Sequence, residues 1–291
     1  MKNTKPKVRL WSVLTGLTAI LTVAAIVGNI IANQYATTIN VALNASTYKI
    51  IHGENTGDTE YFKKGFASDE EREAYEAELC ATVEAEGAAL LKNENNALPL
   101  ASGAKVSLFG HGSVDLMYGG TGSGSVDTSK APNLKQALEA QGITINQTLW
   151  DLYSSDSMMS KYSRMTPASI SDTLEANTQY AVNEAPWSAL SSAESSFAEY
   201  GDAAIVVLSR SGGEGADLPS GENGTSDSWI SGQEGDGNYL ALSAEEIELL
   251  KNLKALKDNG TFKNIVVLIN SSNAIELDFL NPEICGEDYG I

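Results

Sequence analysis

The chain has 291 residues, 42% hydrophobic and 20% charged, with a formal net charge of −19 and a sequence pI near 4.4. That composition holds enough apolar material for a core and excludes a disordered or collagen-like chain. So acidic a balance also argues against sequence-independent nucleic-acid binding, which needs clustered Lys and Arg to displace phosphate counterions.

The charge is unevenly placed. Four of the 19 basic residues (Lys2, Lys5, Lys7, Arg9) precede the first apolar run, and no Asp or Glu occurs before Glu54. Everything beyond carries 15 basic against 38 acidic residues, a net of −23. Residues 10–32 are mostly Leu, Ile, Val, Ala, Thr and Gly. About 20 apolar residues rising about 1.5 Å each span the hydrocarbon core of a bilayer. Signal-peptide apolar regions are shorter, at about 7 to 15 residues, and end at a small-residue cleavage site. No A-x-A triplet follows here, so an uncleaved anchor is expected. The basic tip (residues 1–9) places the N-terminus in the cytoplasm and the acidic bulk outside the cell, as a single-pass protein of the cell membrane.

Residues 33–67 are rich in Thr, Asn and Gly without periodicity and read as a stalk. Order resumes at Ser68, which with Glu71 makes a capping box for a helix that places Tyr75, Leu79 and Val83 on one face and ends at Gly87. A short apolar strand is expected over 88–91. Strands at 106–109, 143–145, 203–208 and 265–269 then alternate with helices at 133–141 and 244–259, the latter capped by Ser243 with Glu246. Residues 154–199 are polar and read as a partly helical excursion. Apolar strands separated by helices signal a parallel sheet covered on both faces. The expected class is α/β, a three-layer α/β/α sandwich with a mostly parallel sheet behind an N-terminal transmembrane helix, the sandwich occupying 68–291.

Metal and cofactor signals are weak. Cys80 and Cys285 lack Cys or His neighbours at ligand spacing and are expected as two buried free thiols, although a disulfide is possible outside the cell; His52 and His111 are too few for a metal centre. Neither a cofactor nor a metal is expected. The glycine run 119–124 lacks the Gly-Lys-Ser/Thr ending of a P-loop and does not fit G-x-G-x-x-G, which disfavours an ATP- or NAD-using enzyme. The run is either a flexible loop or one whose backbone must approach a neighbouring domain or a ligand closely.

Ligands of open parallel sheets meet the loops at the carboxyl ends of strands, so the loops after Phe109 and Leu208 are the candidates. The second reads Ser209-Arg210-Ser211-Gly212-Gly213-Glu214-Gly215-Ala216-Asp217. An acid between glycines can reach outward as a proton donor, or it can be an ordinary solvated side chain. No G-x-S-x-G elbow and no nearby histidine supply a nucleophile.

Four segments in order resemble glycoside hydrolase family 3: Glu86-Gly87-Ala88-Ala89-Leu90-Leu91-Lys92-Asn93-Glu94 with Leu98-Pro99-Leu100, the Gly-Gly-Thr-Gly-Ser-Gly loop, Ser209 to Asp217, and Val266-Val267-Leu268-Ile269-Asn270. The resemblance runs from about Ser68 to the C-terminus. It implies the family's α/β sandwich, which accompanies a TIM-like barrel carrying an Asp nucleophile. In the subgroup whose loop reads S-R-x-S-G-E-G-x-D-R, the Glu is the general acid/base, and it falls on Glu214; Arg210 and Asp217 are candidate substrate contacts. Leu218 stands where that subgroup has Arg, and Tyr118 where many members have Lys.

What the resemblance implies is retaining hydrolysis of a glycoside or oligosaccharide, β-glucosidase-like, with no cofactor. These 291 residues contain no barrel and no nucleophile motif, so the barrel is expected downstream, as in domain-permuted members, and the sandwich is expected to be incomplete. The alternative is a surface-anchored carbohydrate-binding or interaction module without chemistry.

Overall fold

The computed structural model describes residues 5–43, 45, 64–120, 122–124, 126–166, 180–214, 218 and 239–291. Most of the expected stalk, much of the loop after Leu208 and Asp217 itself lie outside the described residues. The chain divides into two compact units, Met1–Gly87 and Ala88–Ile291.

The first unit contains α1 (Lys5–Gln34), α2 (Ala36–Ala42) and α3 (Asp69–Gly87). Within α1, Leu10–Gln34 is long and apolar enough to cross a membrane, with a mean hydropathy of 2.1 and no buried share. An anchor and a signal sequence both meet that description. The hydroxyls of Ser12, Thr18 and Thr22 donate to the carbonyls of Val8, Leu14 and Thr18 at 3.0, 2.8 and 2.9 Å, so the helix satisfies its own polar groups. Helical backbone continues to Ala42, into the composition that reads as a stalk. At the start of α3, the Glu71 N–H donates to the Ser68 hydroxyl at 3.2 Å, and the Ala67 N–H donates to the Glu71 carboxylate at 2.7 Å. The cap is therefore reciprocal, as expected, although the returning bond reaches one residue further back. No residue of α3 is buried.

The second unit is an α/β fold around four parallel strands: β1 (Lys105–Phe109), β2 (Thr144–Ile145), β3 (Ala203–Leu208) and β4 (Ile265–Ile269). Their order is β2-β1-β3-β4. The helices are α4 (Leu134–Ala140), α5 (Gln147–Tyr153), α6 (Asp156–Lys161), α7 (Ala244–Asp258) and α8 (Pro282–Cys285). β3 is buried throughout, and its side chains alternate between the sheet's two faces. Ala204, Val206 and Leu208 join a core with Phe109, Phe197, Phe262 and the Leu249, Leu250 and Leu253 face of α7. Ala203 and Ile205 join a second core with Val106, Leu108, Ile143 and Ile145, which Leu134 and Leu138 of α4 cover in part. Phe109 meets Phe197 and Phe262 edge-on at 5.2 and 5.7 Å, a geometry favoured by the ring quadrupoles.

The capping signals form as expected. Ser243 accepts from the Glu246 N–H while the Glu246 carboxylate accepts from the Ser243 N–H, and Asn133 and Gln136 do the same at α4.

Three expectations change. Ala88–Leu91 forms no strand: Leu90 and Leu91 are 66% and 58% exposed. The segment pairs with none of the four strands, and strand formation depends on such pairing and packing more than on composition. Cys80 is exposed and Cys285 half-buried, both free, because both lie on segments that present little to a core. The polar excursion after Ser154 supplies core residues, Tyr180, Leu190 and Phe197, despite its polar composition. α5 ahead of it had no periodic signal and is set by its cap: Asn146, fully buried, accepts from the Leu149 N–H at 3.2 Å and donates to Ser107 and Ser196 at 3.1 and 2.8 Å.

Candidate active site

The strand order reverses direction at β1: β2 lies on one side of it and β3 on the other. The loops leaving the carboxyl ends of β1 and β3 therefore lie at the topological switch point, the place where open α/β sheets generally bind ligands. The loop after β4 fixes both. Asn270 pairs with both backbone groups of Met117, accepting from its N–H at 2.6 Å and donating to its carbonyl at 3.0 Å. Ser272 does the same for Gly212, at 3.1 and 3.0 Å. Asn270 lies in the resembling segment, but Ser272 carried no sequence signal, since isolated Ser-Ser-Asn is ordinary loop composition.

The glycine run after β1 is packed closely against the β3 loop. A Cβ on Gly120 would lie 2.8 Å from the Gly212 carbonyl oxygen, and one on Gly122 would lie 2.5 Å from the Glu214 Cβ. Gly122 also has φ +70°, which L side chains seldom adopt. The backbone of this loop does approach a neighbour closely, but that neighbour is the loop of the same unit that carries Glu214, which the sequence did not suggest.

Glu214 is exposed on the rim. The Ser123 N–H donates to its Oε2 at 2.7 Å, and the Ser123 hydroxyl donates to the same oxygen. The hydroxyl, then the N–H, hold the carboxyl below its ordinary range, because both bonds favour the ionised form. Tyr118 turns its hydroxyl to the Pro132 carbonyl at 2.9 Å.

Arg210, a candidate substrate contact by sequence, is fully buried. Its five N–H groups are all engaged: bidentate on Glu246 at 2.8 and 2.7 Å, and on the carbonyls of Tyr239, Ser209 and Ala241 at 2.7, 2.8 and 2.6 Å. The guanidinium is thus a post inside the loop's base, with no donor left for a sugar. The Tyr239 hydroxyl adds two bonds to the Ser211 backbone at 2.8 and 3.1 Å, and burial pushes that hydroxyl up to about 12.

A second buried carboxyl, Glu184, lies beneath the β1 loop and had no sequence signal. It accepts from the N–H groups of His111 and Ala185 at 2.7 and 2.9 Å. Burial pushes it up to about 7, against the pull of those two bonds. The His111 ring meets Asp115 at 3.1 Å, and Arg164 meets the same carboxylate at 3.0 Å. Burial works to raise Asp115, yet these two partners outweigh it and leave the carboxyl below its ordinary range. No group of three or more His, Cys, Asp or Glu that could hold a metal occurs among the described residues.

Beta-glucosidase A of Butyrivibrio fibrisolvens is 29% identical over 223 residues, 71% of this chain and 24% of that protein. A beta-glucosidase structure from Paenibacillus barengoltzii superposes with a TM-score of 0.51 at 25% identity, over 72% of this chain and 20% of that one. Beta-glucosidase 3B of Thermotoga neapolitana, in complex with glucose, gives 0.49 at 24% identity, over 71% and 26%. The chain thus spans about a quarter of the length of the relatives it matches. Residues 88–286 match the glycosyl hydrolase family 3 C-terminal domain, and the chain belongs to that family.

Proposed function

We propose that this chain supplies the proton-transfer half of a retaining, β-glucosidase-like glycoside hydrolase. Its substrate is a glycoside or oligosaccharide, and Glu214 is the general acid/base. The observation that carries this reading is the placement of Glu214 at the switch point of a family 3 domain, on a rim built from the β1 and β3 loops. An Asp nucleophile on a barrel domain outside these 291 residues attacks the anomeric carbon while Glu214 protonates the departing glycosidic oxygen. Glu214 then takes a proton from the water that releases the sugar. In such a pair the carboxyl groups sit about 5 to 5.5 Å apart. Closure of a barrel over Glu214 would withdraw water and raise its pKa, the direction a proton donor needs. Asp217 remains the candidate for a sugar contact from the same loop.

One observation favours a second reading, a carbohydrate-binding module without chemistry: Ser123 holds Glu214 in the ionised form, which donates no proton. The two readings separate on mixing the full chain with a family 3 barrel and following release of an aryl β-glucoside's leaving group. The hydrolase reading expects turnover that neither part gives alone and that Glu214→Gln diminishes. Saturable sugar binding with no turnover in the assembled pair supports the module.

We also propose that α1 is an uncleaved anchor with its basic end in the cytoplasm. Its apolar length and the basic residues before it support this. Protease added to intact cells should then degrade the chain beyond about residue 50; full protection reverses the topology.

A further inference from the structure

The family motif places Glu214 but leaves open what aims it. We propose that Ser123 is a positioning residue for Glu214: its N–H and hydroxyl, presented together by the left-handed turn at Gly122, fix the carboxylate over the glycine-rich loop. The proposal deepens the acid/base reading of Glu214 and rests on it for its catalytic meaning.

Three independent features converge on this contact. Two donors from one residue meet a single oxygen, Oε2, across 91 positions of sequence. A one-residue shift in either loop would lose both bonds, so the contact sets register between loops that are otherwise unrelated. Gly122 brings its backbone to a distance no side chain allows, since a Cβ there would stand 2.5 Å from the Glu214 Cβ and 2.8 Å from its Oε2. The loops on either side are also pinned at their bases, Met117 by Asn270 and Gly212 by Ser272. The freedom that remains near the tips is therefore what Ser123 removes. A purely structural serine on an exposed loop would need only one of its donors to bridge the two segments. Placing both on one oxygen of the carboxylate instead defines the orientation of the acid, on which proton transfer depends.

The test is a carboxyl-carbon NMR titration of Glu214 in the full chain, held in detergent micelles and assigned by loss of the resonance in Glu214→Gln. Wild type is expected to titrate below an ordinary glutamate. Ser123→Ala should shift the midpoint upward, and Ser123→Thr, which keeps both donors, should restore it. Gly122→Ala should shift it upward with Ser123 intact, because the added Cβ drives the loops apart. Unchanged circular dichroism in each variant shows that the fold persists. A midpoint indifferent to Ser123→Ala overturns the positioning role, as does failure of Ser123→Thr to restore it. Because the readout requires no turnover, either outcome leaves the acid/base reading of Glu214 to be decided by kinetics.

Discussion

Two carboxylates at the same end of the sheet sit in opposite environments, one buried and bonded, the other exposed on the rim. Glu246 is 2% exposed and locked on both oxygens by Arg210, whose remaining donors are spent on three carbonyls. Glu214, four residues along the chain from Arg210, is exposed, and Ser123 donates to one of its oxygens. The buried pair is bonded on every side and supports the base of the loop. The rim acid can change its charge when its surroundings change, which is what a proton donor must do. The β3 loop thus has a base held by buried side-chain bonds and an exposed carboxylate at its rim.

The contrast can be broken most severely at the base. Glu246→Ala leaves a buried guanidinium unpaired and should destabilise the second unit by about 3 to 5 kcal/mol. Replacing both partners, Arg210→Met with Glu246→Leu, should recover much of that loss; urea denaturation of the single and double variants checks both. Equal stability of Glu246→Ala and wild type would mean the pair supports nothing.

Glu184 gives the next effect. Its folded pKa, about 7, lies above the unfolded value, so between about 4.5 and 7 the native state binds more protons. Stability should therefore fall as pH rises through that window, by roughly 3 kcal/mol in all, and stay low above it. Denaturation midpoints between pH 5 and 8 measure this slope, which Glu184→Gln should flatten. A slope of the opposite sign would contradict the burial of an ionisable carboxyl there.

At the hinge between base and rim, Ser272→Ala removes both bonds to Gly212 and should cost about 1 kcal/mol. The smallest stability effect belongs to the rim. Glu214→Gln should alter unfolding by no more than about 0.5 kcal/mol. A larger loss would give Glu214 a structural role and erase the distinction between the two carboxylates.

What was legible in the sequence follows the same division. β3 and the Ser243–Glu246 cap could be read because their causes are local, an unbroken apolar run and a three-residue spacing. The position of the loops after β1 and β3 at the carboxyl end of the sheet was legible from strand order, and the Glu214 motif marked which of their residues to propose. Arg210 was misjudged because its partner lies 36 positions away, and a loop arginine looks the same whether it faces solvent or the core. Glu184 and Ser272 were invisible for a related reason: each acts on backbone groups, His111 N–H and Gly212, that no side-chain pattern announces. Ala88–Leu91 failed in the other direction, since composition proposed a strand and the segment pairs with none of the four strands.

The claim that the rim acid carries the chemistry is tested most directly by the leaving-group dependence of Glu214→Gln in the assembled enzyme. The account predicts a loss of about 100-fold or more in turnover of glycosides with poor leaving groups, which need the proton, and a much smaller loss for activated aryl glycosides, which do not. Equal and undiminished turnover of both would contradict it.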